Sequence, residues 1–280
     1  MVVLMLLAGC SSSPKGNPED ATLARLGHAG DIAFDLEQPD QAAAQYRAAL
    51  ARARTGDDAA AIADAGFNLA TAELRAGRPR DAMRTAQELS AELARRGIID
   101  PDFQLISATA LFRLDDLTAA DRAASGLTGV KNPALADAAW FLRGLIADAR
   151  QDRTGLEKAV ASMSPAADPA DVTELRSRLA RNPTLARHAA DLRRARLDYR
   201  GMARALALAA QFTPGAADAA DLYLRAGRSA AAQGDAADAR VWLDRARELA
   251  PDAALRGDAA QALHDLSGRP APGSKCGTGC

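Results

Sequence analysis

This sequence predicts an all-α fold, a solenoid of about six helical hairpins finished by a C-terminal capping helix, and three observations carry that expectation. Seventy of the 280 residues are alanine, the strongest helix former. Aromatic residues make up only 4% of the chain, and the β-branched residues that favour strands are few. Short breaks at Gly, Pro and Asp recur in series between apolar-periodic runs of about 12 to 17 residues, a helix–turn–helix rhythm. Alanine helices bury little area in any single pair, so they must stack to join their small faces into one core. A closed helical bundle is the runner-up, disfavoured by six short turn signals in succession. The 35 basic and 36 acidic side chains leave a net charge of −1. No nucleic-acid partner is expected, because phosphate affinity comes from clustered excess cations. Arginine outnumbers lysine 31 to 4, a bias that points to a GC-rich genome.

The first segment reads as an address. Residues 1–9 end a short apolar run, too short to span a bilayer, and residues 10–20 form a Ser/Pro/Gly/Asn-rich tether that cannot continue a helix. Leu7-Ala8-Gly9-Cys10 resembles the bacterial lipobox. That resemblance implies a signal-peptide remnant and a lipid on Cys10 that anchors the chain to a membrane. No Lys or Arg precedes the apolar run, so the true start is expected upstream of Met1. Ser11 and Ser12 follow the cysteine without the aspartate that resembles an inner-membrane retention signal, which favours the periplasmic face of the outer membrane.

Repeats occupy residues 21–163 as four units and 183–266 as two more with the capping helix. The sixth unit is the clearest, with Tyr223, Gly227, Ala230, Gly234, Ala239, Leu243, Ala246 and Pro251. Gly30, Ala42, Tyr46 and Ala49 take the equivalent positions in the first, and Asn68, Leu69, Ala70, Gly77 and Ala82 in the second. The third rests on Ala108, Phe112, Ala120, Ala124 and Leu127, the fourth on Trp140, Gly144 and Ala147, and the fifth on Leu192, Leu197, Ala205 and Phe212. Turns are expected at Glu37, Gly77, Asp115, Gln151, Arg200 and Gly234. The long interval before Arg200 is filled by residues 164–182, a linker with one inserted helix for which Asp171 is the expected N-cap. A final helix, about Asp252 to Leu266, should cap the last unit. These offsets resemble the tetratricopeptide repeat over roughly residues 21–250, which implies a right-handed superhelix with a concave binding groove.

Reaction chemistry is sparse. His28, His188 and His264 fall in three separate units. The chain has no His-Glu-x-x-His, no Gly-x-Ser-x-Gly, no phosphate loop and no dinucleotide fingerprint. Acidic pairs such as Asp57-Asp58 and Asp115-Asp116 sit at turns, where caps are expected. No enzyme activity and no cofactor are therefore expected.

In tetratricopeptide folds the first helix of each unit lines the groove, and carrying that register over selects Phe67, Thr71, Leu74 and Arg75, then Leu105, Thr109, Phe112 and Arg113. Phe141 and Leu145 follow in the fourth unit, with Arg187, Arg194 and Arg228 beyond. Apolar anchors followed by arginines suit a peptide or helix bearing apolar side chains and carboxylates. Phe67, Phe112 and Phe141 have the alternative of being inter-repeat core. The clamp of chaperone-tail-binding relatives is not expected: the matching positions read Gly27, Asp31, Asn68, Asp102 and Ile106, of which only Asn68 fits. Arg187, Arg193, Arg194, Arg196, Arg200 and Arg204 form the densest basic stretch, either a solvated helix face or a docking patch for an acidic partner or lipid headgroups.

Residues 267–280 form a flexible tail in which Cys276 and Cys280 can close a disulfide in an oxidising compartment. Two thiolates without a nearby His do not complete a metal site. Lipobox plus repeats looks like the small adaptor lipoproteins of pilus and secretion systems, including the Tad (Flp) pilus lipoprotein and the type IV pilotins. The implied role is a non-enzymatic scaffold for other envelope proteins. Alternatives are a scaffold for outer-membrane protein biogenesis or periplasmic peptidases, or a metal carrier or enzyme using the tail cysteines.

Overall fold

The computed structural model describes residues 20–268, and the expected lipid site Cys10 and the Cys276/Cys280 pair lie outside them. The described residues form helices α1 (Ala21–Asp35), α2 (Pro39–Thr55), α3 (Ala59–Arg75), α4 (Pro79–Ala94), α5 (Asp102–Arg113), α6 (Leu117–Ser125) and α7 (Pro133–Ala149). The chain continues through α8 (Arg153–Ser162), α9 (Pro169–Ala180), α10 (Pro183–Ala195), α11 (Tyr199–Phe212), α12 (Ala216–Ala232), α13 (Ala236–Leu249) and α14 (Ala253–Gly268). No strand occurs among the described residues, and each helix packs on its neighbours in sequence. The fold is thus all-α, built of packed helical hairpins. No helix among the described residues is long and apolar enough to cross a membrane.

One corner design recurs. Each hairpin turn places a single residue in the left-handed region, at Glu37 (φ 56°), Gly77 (72°), Asp115 (63°), Gln151 (58°), Leu197 (62°) and Gly234 (72°). Two backbone bonds close each corner. The Gln38 N–H donates to Ala33 O at 2.8 Å and the Glu37 N–H to Phe34 O at 3.1 Å, and Arg78 and Gly77 repeat this to Glu73 O and Leu74 O at 2.9 and 3.1 Å. This is the Schellman closure, which satisfies the orphan carbonyls of the first helix. The next helix then starts on an aspartate cap, as where Asp116 accepts from the Ala119 N–H at 3.0 Å, or on a proline at its first position, as at Pro39 and Pro79.

Five of the six expected turns fall where the spacing put them; the fifth does not. Its left-handed residue is Leu197, three residues before Arg200, because Asp198 caps α11 by accepting from the Gly201 N–H at 2.9 Å. Arg200 therefore sits in the first turn of α11. The expected cap of the inserted helix also moves. Asp168, not Asp171, caps α9 by accepting from the Ala170 N–H at 2.8 Å, since Pro169 fills the first helical position. Asp171 lies one turn inside and pairs with Arg193 of α10 at 2.7 Å.

Small residues let the helix axes approach. A Cβ at Gly66 would stand 2.2 Å from Leu89 Cδ1, and one at Gly227 would stand 2.6 Å from Leu243 Cγ. Ala42, Ala82, Ala120 and Ala239, at matching positions of the second helices, are fully buried. In the fourth unit the Trp140–Gly144 pattern is present, yet Gly144 is covered by Leu175 of α9, with a Cβ-to-Cδ1 separation of 2.6 Å, rather than by its own hairpin partner α8. The inserted helix thus packs on α7, α8 and α10. Beyond it the chain returns to the corners of the first hairpins.

Candidate functional site

That return is made by Arg200. It is 10% exposed, and its Nε donates to Glu37 Oε2 at 2.9 Å across 163 residues of sequence. Its Nη1 donates to the Arg75 carbonyl at 3.2 Å and its Nη2 to the Gln233 carbonyl at 2.6 Å. One guanidinium therefore ties the corners of the first, second and sixth hairpins to the start of α11. Glu37 also accepts from Arg75 Nε and Nη2, and Arg75 lies over the Phe34 ring at 5.0 Å. A planar fork with five N–H donors is suited to bridging several acceptors at once.

Two more arginines gather beside this junction. Arg113, at the end of α5, donates from Nη1 to the Leu74 carbonyl. Arg204, one turn beyond Arg200, ion-pairs with Asp235 at 3.8 Å and Asp238 at 3.7 Å. Desolvation pushes Arg113 down to about 10, Arg204 adds to that, and Asp235 opposes it. Arg113 nonetheless keeps an exposed surface. Burial likewise raises the Asp238 carboxyl, aided by Asp235 and opposed by Arg204 and Arg113.

Arg204 also lines a groove along α11 and α13, together with Arg178, Leu208, Tyr223, Trp242 and Arg245. Val241 opens onto it at 59% exposure. Arg178 is neutralised by Asp148 at 2.7 Å and Glu174 at 2.8 Å, whereas Arg245 pairs with exposed Glu248, at 2.9 Å. The arrangement offers cations beside apolar and aromatic surface, which is binding chemistry. No group of three or more His, Cys, Asp or Glu side chains suited to a metal occurs among the described residues.

The residues selected by register are distributed differently. Leu74, Arg75 and Arg113 meet at the junction. Phe67 is 37% exposed on α3, with Thr71 half-buried one turn on. Leu105 and Phe112 pack against the Ala108–Ala120–Leu142 core, and Phe141 and Leu145 against that of Leu156 and Leu175. The Thr109 hydroxyl is turned back to the Leu105 carbonyl at 2.9 Å. Arg187 and Arg194 are exposed on α10, and Arg228 stands apart near α14, 3.5 Å from Asp258.

The basic stretch divides by burial. Arg193, 14% exposed, is held by Asp171 at 2.7 Å, Glu174 at 2.9 Å and Asp198 at 3.1 Å, which fastens α9 to α10 and α11. Arg194 is solvated, and Arg200 and Arg204 belong to the junction. Glu37, Asp235 and Asp238 were not among the expected site residues. Their only local signal is a position in or beside a corner, which caps share.

No family model and no curated protein matches this chain. Solved structures do show similarity in fold. A tetratricopeptide repeat protein from Parabacteroides merdae is 16% identical, covering 88% of this chain and 99% of its own, with a TM-score of 0.44. The TPR2AB domain of yeast Sti1, solved in a complex with pHSP90, is 16% identical over 88% of this chain and 98% of its own, with a TM-score of 0.31. BtubC from P. vanneervenii is 15% identical over 84% of this chain and 91% of its own, with a TM-score of 0.34.

Proposed function

We propose that this chain is a non-enzymatic protein-binding scaffold, and the observation that supports it best is the arginine- and aromatic-lined groove running from the Arg200 junction. A broad, water-accessible surface of guanidinium and ring groups recognises a partner without the enclosed, pre-organised site that catalysis requires. The partner carries carboxylates and apolar anchors.

In this reading the scaffold is lipid-anchored through Cys10 at the periplasmic face of the outer membrane, where it assists assembly or localisation of an envelope complex such as a Tad/Flp pilus or a secretion channel. The lipobox-like Leu7-Ala8-Gly9-Cys10 and the tether behind it support the anchoring. In-cell crosslinking followed by mass spectrometry tests the role, with pilus or secretin components expected. Recovery of barrel-assembly factors or peptidases would move the scaffold to envelope biogenesis, and recovery of no protein at all would refute it. Cys10→Ala should release the chain from the membrane fraction; unchanged retention would remove the anchor.

A further inference from the structure

The end of the array opposite the hairpin corners carries an apolar tip between α4 and α5. After α4 the Gly97 and Ile98 N–H groups donate to the Ala94 and Leu93 carbonyls, each at 3.0 Å, with Gly97 at φ 77°. That closure ends the helix and leaves Ile98 38% and Ile99 90% exposed. Ile99 is the most exposed large apolar side chain among the described residues. Arg95, at the end of α4, is exposed and in no ion pair among the described residues. Asp100 is turned back to α5, accepting from the Asp102 N–H at 3.0 Å. Ion pairs place this tip at the end where the chain enters the fold. Asp20, the cap of α1, holds Arg52 at the end of α2 at 2.6 Å, and Arg54 holds Glu92 near the end of α4 at 2.7 Å. Arg96, beside the tip, holds Asp57 of the α2–α3 loop at 2.7 Å.

We infer that Ile98 and Ile99 are a second membrane contact, dipping into the phospholipid leaflet that holds the lipid on Cys10 and setting the array with its hairpin corners away from that leaflet. The inference rests on the lipid-anchored reading and adds the orientation of the scaffold. The occupant follows from where the chain runs. The ten chain steps from Cys10 to Asp20 span at most about 36 Å, so the end bearing Asp20 and the tip is held near the leaflet. The 15 residues of α1 carry the first corner about 22 Å further off. An isoleucine pair gains by leaving water for the acyl boundary, and Arg95 suits anionic headgroups. Alone the pair holds weakly, with fewer apolar carbons than one myristoyl chain, so Cys10→Ala still releases the chain.

The test uses the full chain with Cys276→Ser and Cys280→Ser, which leaves Cys10 as the one thiol of three. Coupling it to a maleimide-bearing lipid in vesicles of phosphatidylethanolamine and phosphatidylglycerol sets the anchor independently of the cell. Ile99→Trp puts a probe at the tip and Leu36→Trp one at the first corner, where Leu36 is 63% exposed. The chain without either supplies the background of Trp140 and Trp242. Bromine on the acyl chains should quench most of the emission added at the tip and none of that added at the corner. Ile98→Ser beside the tip probe should weaken docking severalfold, seen as weaker quenching. No quenching at the tip, the result if it meets a protein instead, overturns the inference, as does equal quenching at tip and corner. If the tip is not quenched while Cys10→Ala frees the chain from the membrane fraction in cells, the orientation falls and the anchored scaffold stands. If the tip is quenched while Cys10→Ala leaves retention in cells unchanged, the anchor falls and the lipid contact of the tip stands.

Discussion

Leu197 holds φ at 62° with 68% of its surface exposed, so it bears left-handed strain without a packing return. The strain costs about 1–2 kcal/mol and glycine's extra backbone entropy about 0.5–1 kcal/mol. Leu197→Gly should therefore stabilise the fold by roughly 0.5–1 kcal/mol, seen as a raised urea midpoint. Gly66 poses the opposite case. Its missing Cβ leaves room for Leu89, which is 1% exposed and has three atoms within 3.3 Å of where that Cβ would stand. Gly66→Ala should destabilise by about 1–3 kcal/mol through overpacking, and an unchanged melting temperature would show that the helices can separate freely. These two residues also mark what a sequence reveals at this scale. Gly77 and Gly234 announce left-handed corners because glycine is the residue that adopts them without cost. Leucine carries no such signal, which is why the fifth corner was expected at Arg200.

At the scale of the helix, α9 is the element that departs from the repeat, and Arg193 holds it. Removing that guanidinium leaves Asp171 without its cation in a partly dry site, beside a Glu174 that keeps Arg178. Arg193→Met should cost about 3–5 kcal/mol, the usual result of stripping a buried carboxylate of its cation. Burial, offset by Arg193 and reinforced by Asp168 and Glu174, raises Asp171 to about 6. In the folded state it therefore binds a proton that the unfolded chain releases between pH 4 and 6, and its contribution to stability falls as pH rises through that window. Comparison with Asp171→Asn isolates this group: on going from pH 7 to pH 4 the stability difference should move in favour of the natural chain. Movement the other way would mean that Arg193 outweighs burial. The existence of α9 was legible from its prolines and length. Its cap was not, because Asp168-Pro169 and Asp171 each offer a plausible start, and only the fixed φ of Pro169 decides between them.

Across the whole molecule, hairpins that follow one another in sequence would form an open array, and Arg200 joins distant members of it. The hairpins were legible because each repeats a local pattern of small residues, caps and corners. The junction was not, because Glu37 and Arg200 are 163 residues apart and neither has a periodic counterpart that would disclose the pairing. Arg200 stood in view only as an expected turn and as one of six arginines in a basic stretch. Severing the contact with Glu37→Gln should enlarge the radius of gyration in small-angle scattering while leaving helicity unchanged. The most direct measurement is a double-mutant cycle on Glu37→Gln and Arg200→Met, read from urea unfolding. A closed array expects the two substitutions to couple by about 1–3 kcal/mol, as for residues in one ion-pair network. Additivity within about 0.5 kcal/mol, the behaviour of distant independent sites, would contradict the junction.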